Sequence, residues 1–296
     1  GGAAQAFAEG PPAAEDAAAR GEAAGASAPQ SPTVAERAAS AALLLPTSTR
    51  PLQIATFNML CPAYKRTEVL SAREAEFEER WRPRLQRELA FIRDEVCAGA
   101  DVCGLQELWF SHGVADELRA ALEPDFELVT ARRTGHKEDG LCIAVRRGRF
   151  RIEGERRVEL SPVGYRICLM LHVVDQSFGG DGVPFIVCNT HLSFPHSDYD
   201  QQHQAQQVQT LVTAAEAFAA ERKLGAAAML VMGDFNAEVT DPVCSLFLRQ
   251  GFDVAEPIPD DSGARRFVSH SNHRGEHIGV DHVFVRSGGA GGRAAG

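Results

Sequence analysis

Leu230-Val-Met-Gly-Asp-Phe-Asn-Ala-Glu238 is an apolar run that ends abruptly in polar groups. Met229–Met232 is short, apolar and preceded by Ala226–Ala228, the pattern of a buried strand. Gly233 lets the backbone approach a ligand where a side chain would block it. If the extended conformation persists through Phe235, Asp234 and Asn236 share a face while Phe235 turns into the core. A carboxylate beside an amide suits hydrolysis: the first accepts a proton from water, and the second positions that water or donates to an oxygen without adding charge. The competing reading is an Asp-Asn turn that merely closes a strand.

Around this stretch lies a chain of 296 residues with 44% hydrophobic content, enough core for one large α/β domain or two small ones. No apolar run approaches the roughly 20 residues that span a bilayer, so stable membrane insertion is not expected. The seven cysteines are odd in number, scattered and without a Cys-x-x-Cys pair. They read as reduced core thiols and hence an intracellular compartment, cytoplasm or organelle being open. A formal net charge of −10 disfavours general attraction to a long polyanion unless positive charge is local. Arg132–Arg133, Arg146–Arg147 and Arg265–Arg266 supply local clusters, which are either solvated surface or substrate contacts.

Residues 1–50 are dominated by Ala, Gly, Pro and Ser and read as a disordered leader. The folded domain is expected over 51–286, followed by a flexible Gly-rich tail over 287–296. The initial Gly suggests a processed or truncated chain, and the acidic residues of the leader count against a transit peptide. Leu52–Phe57 reads as a strand ending at Asn58. Ser71-Ala-Arg-Glu74 has the capping-box pattern, and Phe77, Trp81, Leu85, Leu89, Ile92 and Val96 recur at helical spacing, with Pro83 predicting a kink or a fresh start. Val102–Leu105 is a second strand delivering Gln106 and Glu107 at its end, in apolar company where an unpaired carboxylate is costly. A helix is expected at Val114–Leu122. Strands are expected at Phe126–Thr130, Leu141–Val145, Phe150–Ile152, Ile167–Val174 and Phe185–Asn189. The charged loop Arg132–Asp139 either lines a substrate cleft or is solvated.

His191 sits at another strand end, where a cationic or donor imidazole holds a phosphate oxygen or is simply a satisfied core residue. Helices follow at Asp200–Glu221 and Pro242–Gln250, the latter with Pro in its first turn and Gly251 beyond its end. His270, His273, His277 and His282 crowd the last informative run, but no spacing there matches a helical zinc pair. Asp281, embedded in apolar Val280–Val285, needs a histidine or a metal ion as partner.

Phe57-Asn58, Gln106-Glu107, Asn189-Thr-His191-Leu, Gly233-Asp234-Phe-Asn236 and Val280-Asp281-His-Val-Phe284 resemble, in order, the motifs of the endonuclease/exonuclease/phosphatase, or DNase I-like, superfamily. Pro62-Ala-Tyr-Lys-Arg66, Leu192-Ser-Phe-Pro-His196 and Val268-Ser-His-Ser-Asn-His-Arg-Gly275 resemble its plant-type calcium-binding members, although nothing here resembles their EF-hand module. The resemblance implies an α/β sandwich of two packed mixed β-sheets flanked by helices. It implies hydrolysis of phosphodiester or phosphomonoester bonds with Mg²⁺, or Mn²⁺, on substrates that include RNA or single-stranded DNA, inositol phosphates and lipids; a nuclease-like substrate is favoured. Asn58 and Glu107 would hold the metal directly or through water. His191 would contact the scissile phosphate, and Asp234 and Asn236 would orient and activate water. Asp281 matches an acid that buttresses a catalytic histidine of a later Ser-Asp-His motif. That motif is absent from this sequence, and His282 points to the opposite face from Asp281 in a strand and cannot replace it. The expectation is therefore a truncated chain that lacks its last strand and is weakly active, or a binding module that keeps phosphate ligands without turnover. Candidate substrate contacts are His270, Asn272 and Arg166.

Overall fold

The computed structural model describes residues 50–68, 72–162, 164–255, 268–271 and 277–289. The expected leader up to residue 49, Ser71 of the expected capping box, Asn272, His273 and positions 290–296 of the expected tail lie outside the described residues.

Two mixed sheets form the centre. The first contains β1 (Ile54–Asn58), β2 (Val102–Trp109), β3 (Phe126–Arg132) and β4 (Asp139–Arg146) in the order β1-β2-β4-β3, with β1 parallel to β2. The second contains β5 (Phe150–Ser161), β6 (Arg166–Asp175), β7 (Val183–His191), β8 (Ala228–Asp234), β9 (Asp253–Val254) and the last strand of the chain, Asp281–Arg286. Here β7 and β8 run parallel, and Asp281–Arg286 lies antiparallel between β8 and β9. The small ribbon β10 (His270–Ser271) and β11 (His277–Ile278) stands apart from both sheets and leads into Asp281–Arg286, which is β12.

One face of each sheet meets the other. Val102, Ile143 and Val145 pack against Leu169, Leu171, Val187, Leu230 and Met232 in a single apolar layer. The outer faces are covered by helices. Glu78–Phe91 (α1) and Val114–Leu122 (α2) bury Trp81, Leu85, Leu89 and Leu118 on the first sheet, while Asp198–Glu221 (α3) and Pro242–Arg249 (α4) bury Val208, Leu211, Phe218 and Phe247 on the second. Strands covered on both sides read as continuous apolar runs, which is why β4, β6 and β8 were conspicuous in the sequence. No helix among the described residues is long and apolar enough to cross a membrane.

Several local expectations are corrected. Pro83 lies inside one uninterrupted helix rather than opening a second. The turn before that helix is closed by Glu76, whose carboxylate accepts from Arg73 N at 2.6 Å. Glu74, expected in that role, is buried and instead accepts from Lys65 Nζ at 2.7 Å and Arg84 Nη2 at 2.6 Å. Arg50, assigned to the leader, bonds the buried Asp101 carboxylate and receives Arg149 Nη2 on its carbonyl at 3.1 Å. Strand β5 runs nine residues beyond the expected Ile152, because it is the outermost strand of its sheet and its charged side chains face solvent. At the other end Gly288 packs onto the Ala226–Ala228 backbone, so the tail is seated at least that far.

Candidate active site

Pairing registers assemble the site. On the second sheet His191 of β7 is level with Asp234 of β8, which is level with Asp281 of β12, so three motif residues stand in a row across three adjacent strands. On the first sheet Asn58 is level with Gln106 across β1 and β2, which places Glu107 one residue further along the same edge. The two rows meet where the sheets face each other. Asn58 Nδ2 donates to Glu107 Oε1 at 3.1 Å and to Asp234 Oδ2 at 2.9 Å, spanning both sheets with one amide. His191 lies between the same acids, with Nδ1 3.9 Å from Glu107 Oε1 and Nε2 3.8 Å from Asp234 Oδ2.

A polar layer directly beneath holds the sheets in register. Asn189 donates to the carbonyls of Leu105 and Cys142 at 2.9 and 2.8 Å and accepts from Gln106 Nε2 at 2.7 Å, all of it buried. Gln106 also reaches Thr56 Oγ1 at 3.0 Å. Asn189 and Gln106 of the sequence motifs are thus the fasteners of the site.

Glu107 is not at a strand end as expected. Strand β2 continues to Trp109, and Glu107 occupies a bulge between Gln106 and Leu108 with φ of 57°. A left-handed non-glycine residue inside a strand is held there by its surroundings. The bulge swings the carboxylate over the sheet edge, where Oε2 accepts from Cys61 N at 2.8 Å. Strand β8 likewise stops at Asp234 rather than persisting through Phe235. Asp234 Oδ1 accepts from Asn236 N at 2.8 Å, and Asn236 has φ of 49°. The Asx turn weighed as the alternative is therefore present, yet it holds the carboxylate in the site. Asn236 Nδ2 donates to the Leu192 carbonyl at 2.9 Å, so the amide fixes the loop after His191 instead of sharing a strand face with Asp234. Gly233 brings backbone against backbone rather than against a ligand: a Cβ there would lie 1.9 Å from the Thr190 carbonyl oxygen, and φ is 147°. Phe235 turns into the core as expected, packed on Phe247 and Phe284.

Burial dominates the electrostatics. It raises the carboxyl groups of Glu107 and Asp234 above their ordinary range against the opposing pull of the Asn58 amide. Asp281 is pushed up to about 7 by burial and then by Asp234, and its Oδ1 is buried with no hydrogen-bond partner among the described residues. His191 is held well below the usual imidazole value by burial, then by Arg166 and Arg133, so it is neutral at neutral pH. That weighs against the cationic alternative and for a neutral donor or acceptor. His282 turns away from Asp281, as the strand period requires, and contacts the Ala237 carbonyl at 2.7 Å.

The carboxylates of Glu107 and Asp234, the Asn58 amide and the His191 imidazole converge here, and the two buried carboxylates supply oxygen ligands. A hard divalent cation fits that set. Among the described residues no three His, Cys, Asp or Glu side chains are grouped so as to hold a metal ion. The Asn58 oxygen accepts from Leu60 N at 2.9 Å, so this amide bridges the acids through its nitrogen.

Arg166 comes to the same place. Its Nε and Nη1 are buried without hydrogen-bond partners among the described residues, and burial, then Arg133, lowers its pKa to about 10 despite attraction from Asp139, Glu107 and Asp234. His270 is exposed on β10 and acts on Asp234 at a distance, favouring its ionised form. Sequence reasoning left the loop Arg132–Asp139 undecided and missed what it contributes. Arg133 and Asp139 form a buried ion pair at 3.0 Å, and Tyr64 Oη donates to Asp139 at 2.9 Å. The apolar start of β4 immediately after Asp139 was the available signal. The seven cysteines are all free and buried, as read from the sequence.

Comparison with known proteins agrees with this architecture. Residues 55–294 match the model of the endonuclease/exonuclease/phosphatase family. An uncharacterized calcium-binding protein of Arabidopsis thaliana is 30% identical over 250 residues, covering 78% of this chain and 50% of that protein, so the chain spans about half the length of the curated relative it matches. Among solved structures, the human Nocturnin catalytic domain with bound sulfate superposes with a TM-score of 0.59 at 17% identity, covering 79% of this chain and 81% of that one. A mannosyl-6-phosphatase of Bacteroides thetaiotaomicron gives 0.58 at 18% identity, with 80% and 85% covered. ANGEL2, a 2',3'-cyclic phosphatase in complex with adenosine-2',3'-vanadate, gives 0.54 at 19% identity, with 79% and 84% covered. With the family match spanning both sheets and every described motif residue, the chain belongs to the endonuclease/exonuclease/phosphatase family.

Proposed function

We propose that this chain hydrolyses phosphate esters with a divalent cation, Mg²⁺ or Mn²⁺, at the edge where Asn58, Glu107, His191 and Asp234 meet. The observation that carries the reading is the single amide of Asn58 bonded to Glu107 and Asp234 from opposite sheets, with neutral His191 between them. Glu107 would hold the cation, with Asn58 as a second side chain able to offer oxygen, directly or through water. Once bound, the cation polarises a phosphoryl oxygen as a Lewis acid. Asp234, its basicity raised by burial and its orientation fixed by Asn58 and Asn236 N, accepts a proton from the attacking water. Asn236 keeps the Leu192 carbonyl and the loop after His191 in place. His191, neutral and with Nδ1 unpaired, donates to a phosphate oxygen or stabilises charge as it develops there. Asp281, poised near neutrality beside Asp234, holds or returns a proton. His270 and Asn272 are assigned to substrate contact, with RNA and single-stranded DNA among the substrates.

Phosphate release from RNA, single-stranded DNA, sphingomyelin and inositol phosphates, assayed side by side, tests the reading. Asp234→Ala is expected to reduce Mg²⁺-dependent turnover of whichever is cleaved by about 10²–10⁴-fold. Unchanged turnover in that variant would remove the proposal. Binding of phosphate ligands by wild type with no hydrolysis would favour the impaired binding module.

A further inference from the structure

Arg133, Asp139 and Tyr64 consume one another's polar groups. Arg133 Nη1 lies 3.0 Å from each oxygen of Asp139, and the Tyr64 hydroxyl takes one of those oxygens as well. The remaining nitrogens of Arg133 grip the turn that precedes Arg166: Nη2 bonds the Gly164 carbonyl, and Nε bonds the Tyr165 carbonyl at 3.3 Å. The Tyr165 ring closes over Gly135, where a Cβ would meet it at 2.8 Å, and lies edge-on to His136 at 5.6 Å. Loop 133–137 and turn 164–166 are thus clamped together, and Asp139 is engaged by both Arg133 and Tyr64.

Two cations are left over. Arg166 presents buried Nε and Nη1 that have no hydrogen-bond partner among the described residues. Lys137 has no ion-pair partner among the described residues and sits 5.5 Å over the Tyr64 ring, and burial, then Arg133 and Arg166, lower it against the pull of Asp139. A buried guanidinium without a hydrogen-bonding partner is costly in isolation and is compensated when an anion arrives.

We propose that Arg166 and Lys137 form an anion seat beside Glu107 and Asp234 that receives a terminal phosphate, so that the preferred substrate is a phosphomonoester. A monoester dianion brings three non-bridging oxygens and two charges to these donors. An internal phosphodiester brings two oxygens and one charge. In the reaction, water oxygen forms a bond to phosphorus and the ester P–O bond breaks. One water proton ends on the leaving alcohol, so a phosphomonoester dianion plus water gives the alcohol plus hydrogen phosphate. Arg133, Asp139 and Tyr64 are positioning residues for Arg166.

This inference rests on the hydrolase reading, and the experiment separates the two. The whole chain is assayed with Mg²⁺ on p-nitrophenyl phosphate and bis(p-nitrophenyl) phosphate, which release the same chromophore, and inorganic phosphate binding is measured by calorimetry. Wild type is expected to favour the monoester in kcat/KM. Arg166→Met and Lys137→Met are each expected to lower that preference, and the affinity for inorganic phosphate, by about tenfold, the loss of one charge-assisted contact. Lys137→Met, at a partly exposed loop position, retains the fold and keeps the test decisive if Arg166→Met does not. A wild-type preference for the diester, or phosphate affinity unaltered in Lys137→Met, overturns the inference while the hydrolase reading stands. Absence of hydrolysis with phosphate binding that the variants lose overturns the hydrolase reading and leaves the seat. Absence of both overturns both.

Discussion

Gly233 is the residue at which chemistry and packing are least separable. Its φ of 147° and its contact with the Thr190 carbonyl leave no room for a Cβ, and a site residue follows each partner of that contact, Asp234 after Gly233 and His191 after Thr190. Gly233→Ala is expected to cost about 3 kcal/mol or more in chemical denaturation, a magnitude associated with forced backbone strain. Glu88 gives a second test at this scale. Burial raises its carboxyl from 4.5 to about 7 even though Arg84 Nη1 lies 3.2 Å away. Between those pH values the folded state holds a proton that the unfolded chain has lost, so Glu88 favours folding most below pH 4.5 and withdraws stability as pH rises to 7. Glu88→Gln cannot ionise; it is expected to be more stable than wild type by about 1–3 kcal/mol at pH 8 and nearly equal to it at pH 4.5, measured by urea unfolding at both. Residues such as His191 and Asp234 were legible in the sequence because apolar runs deliver them. Arg133, Asp139 and Tyr64 were not: the first two lie six positions apart in a loop whose charges gave no sign of burial, and Tyr64 joins them from 75 positions before Asp139.

Among the elements, β2 and β7 matter most because they carry the fastening between sheets. Asn189→Ala would strand the Leu105 and Cys142 carbonyls in the interior and free Gln106. Its expected cost is about 3 kcal/mol, the loss of several buried hydrogen bonds, read as a lowered urea midpoint. Retention of wild-type stability would show that the sheets do not depend on this fastening. Doubly covered strands announced themselves by apolar runs, whereas β5 was read as three residues because charged side chains interrupt the next nine on an edge facing water. The two-residue β9 had no period to recognise. The bulge in β2 was equally invisible: Gln-Glu after an apolar run looks like a strand end, and only the continued pairing of Leu108 and Trp109 with β4 shows otherwise.

For the whole molecule, the sandwich of two mixed sheets between helices was readable through the resemblance that five motifs in order carry, four of them at strand ends and Gln106-Glu107 at a bulge inside β2. What the sequence left open is how the two sheets share one site, and this is decided by Asn58 spanning Glu107 and Asp234. The corresponding claim is that Glu107 makes hydrolysis dependent on a hard dication. The most direct measurement is phosphate-ester turnover by chelator-stripped protein as Mg²⁺ is added back, with wild type and Glu107→Gln in parallel. Wild type is predicted to regain turnover with saturation, and Glu107→Gln to remain at least about a hundredfold slower at the same Mg²⁺ concentration. Turnover in wild type that ignores Mg²⁺, or a Glu107→Gln variant that regains full turnover at the same concentration, would contradict it.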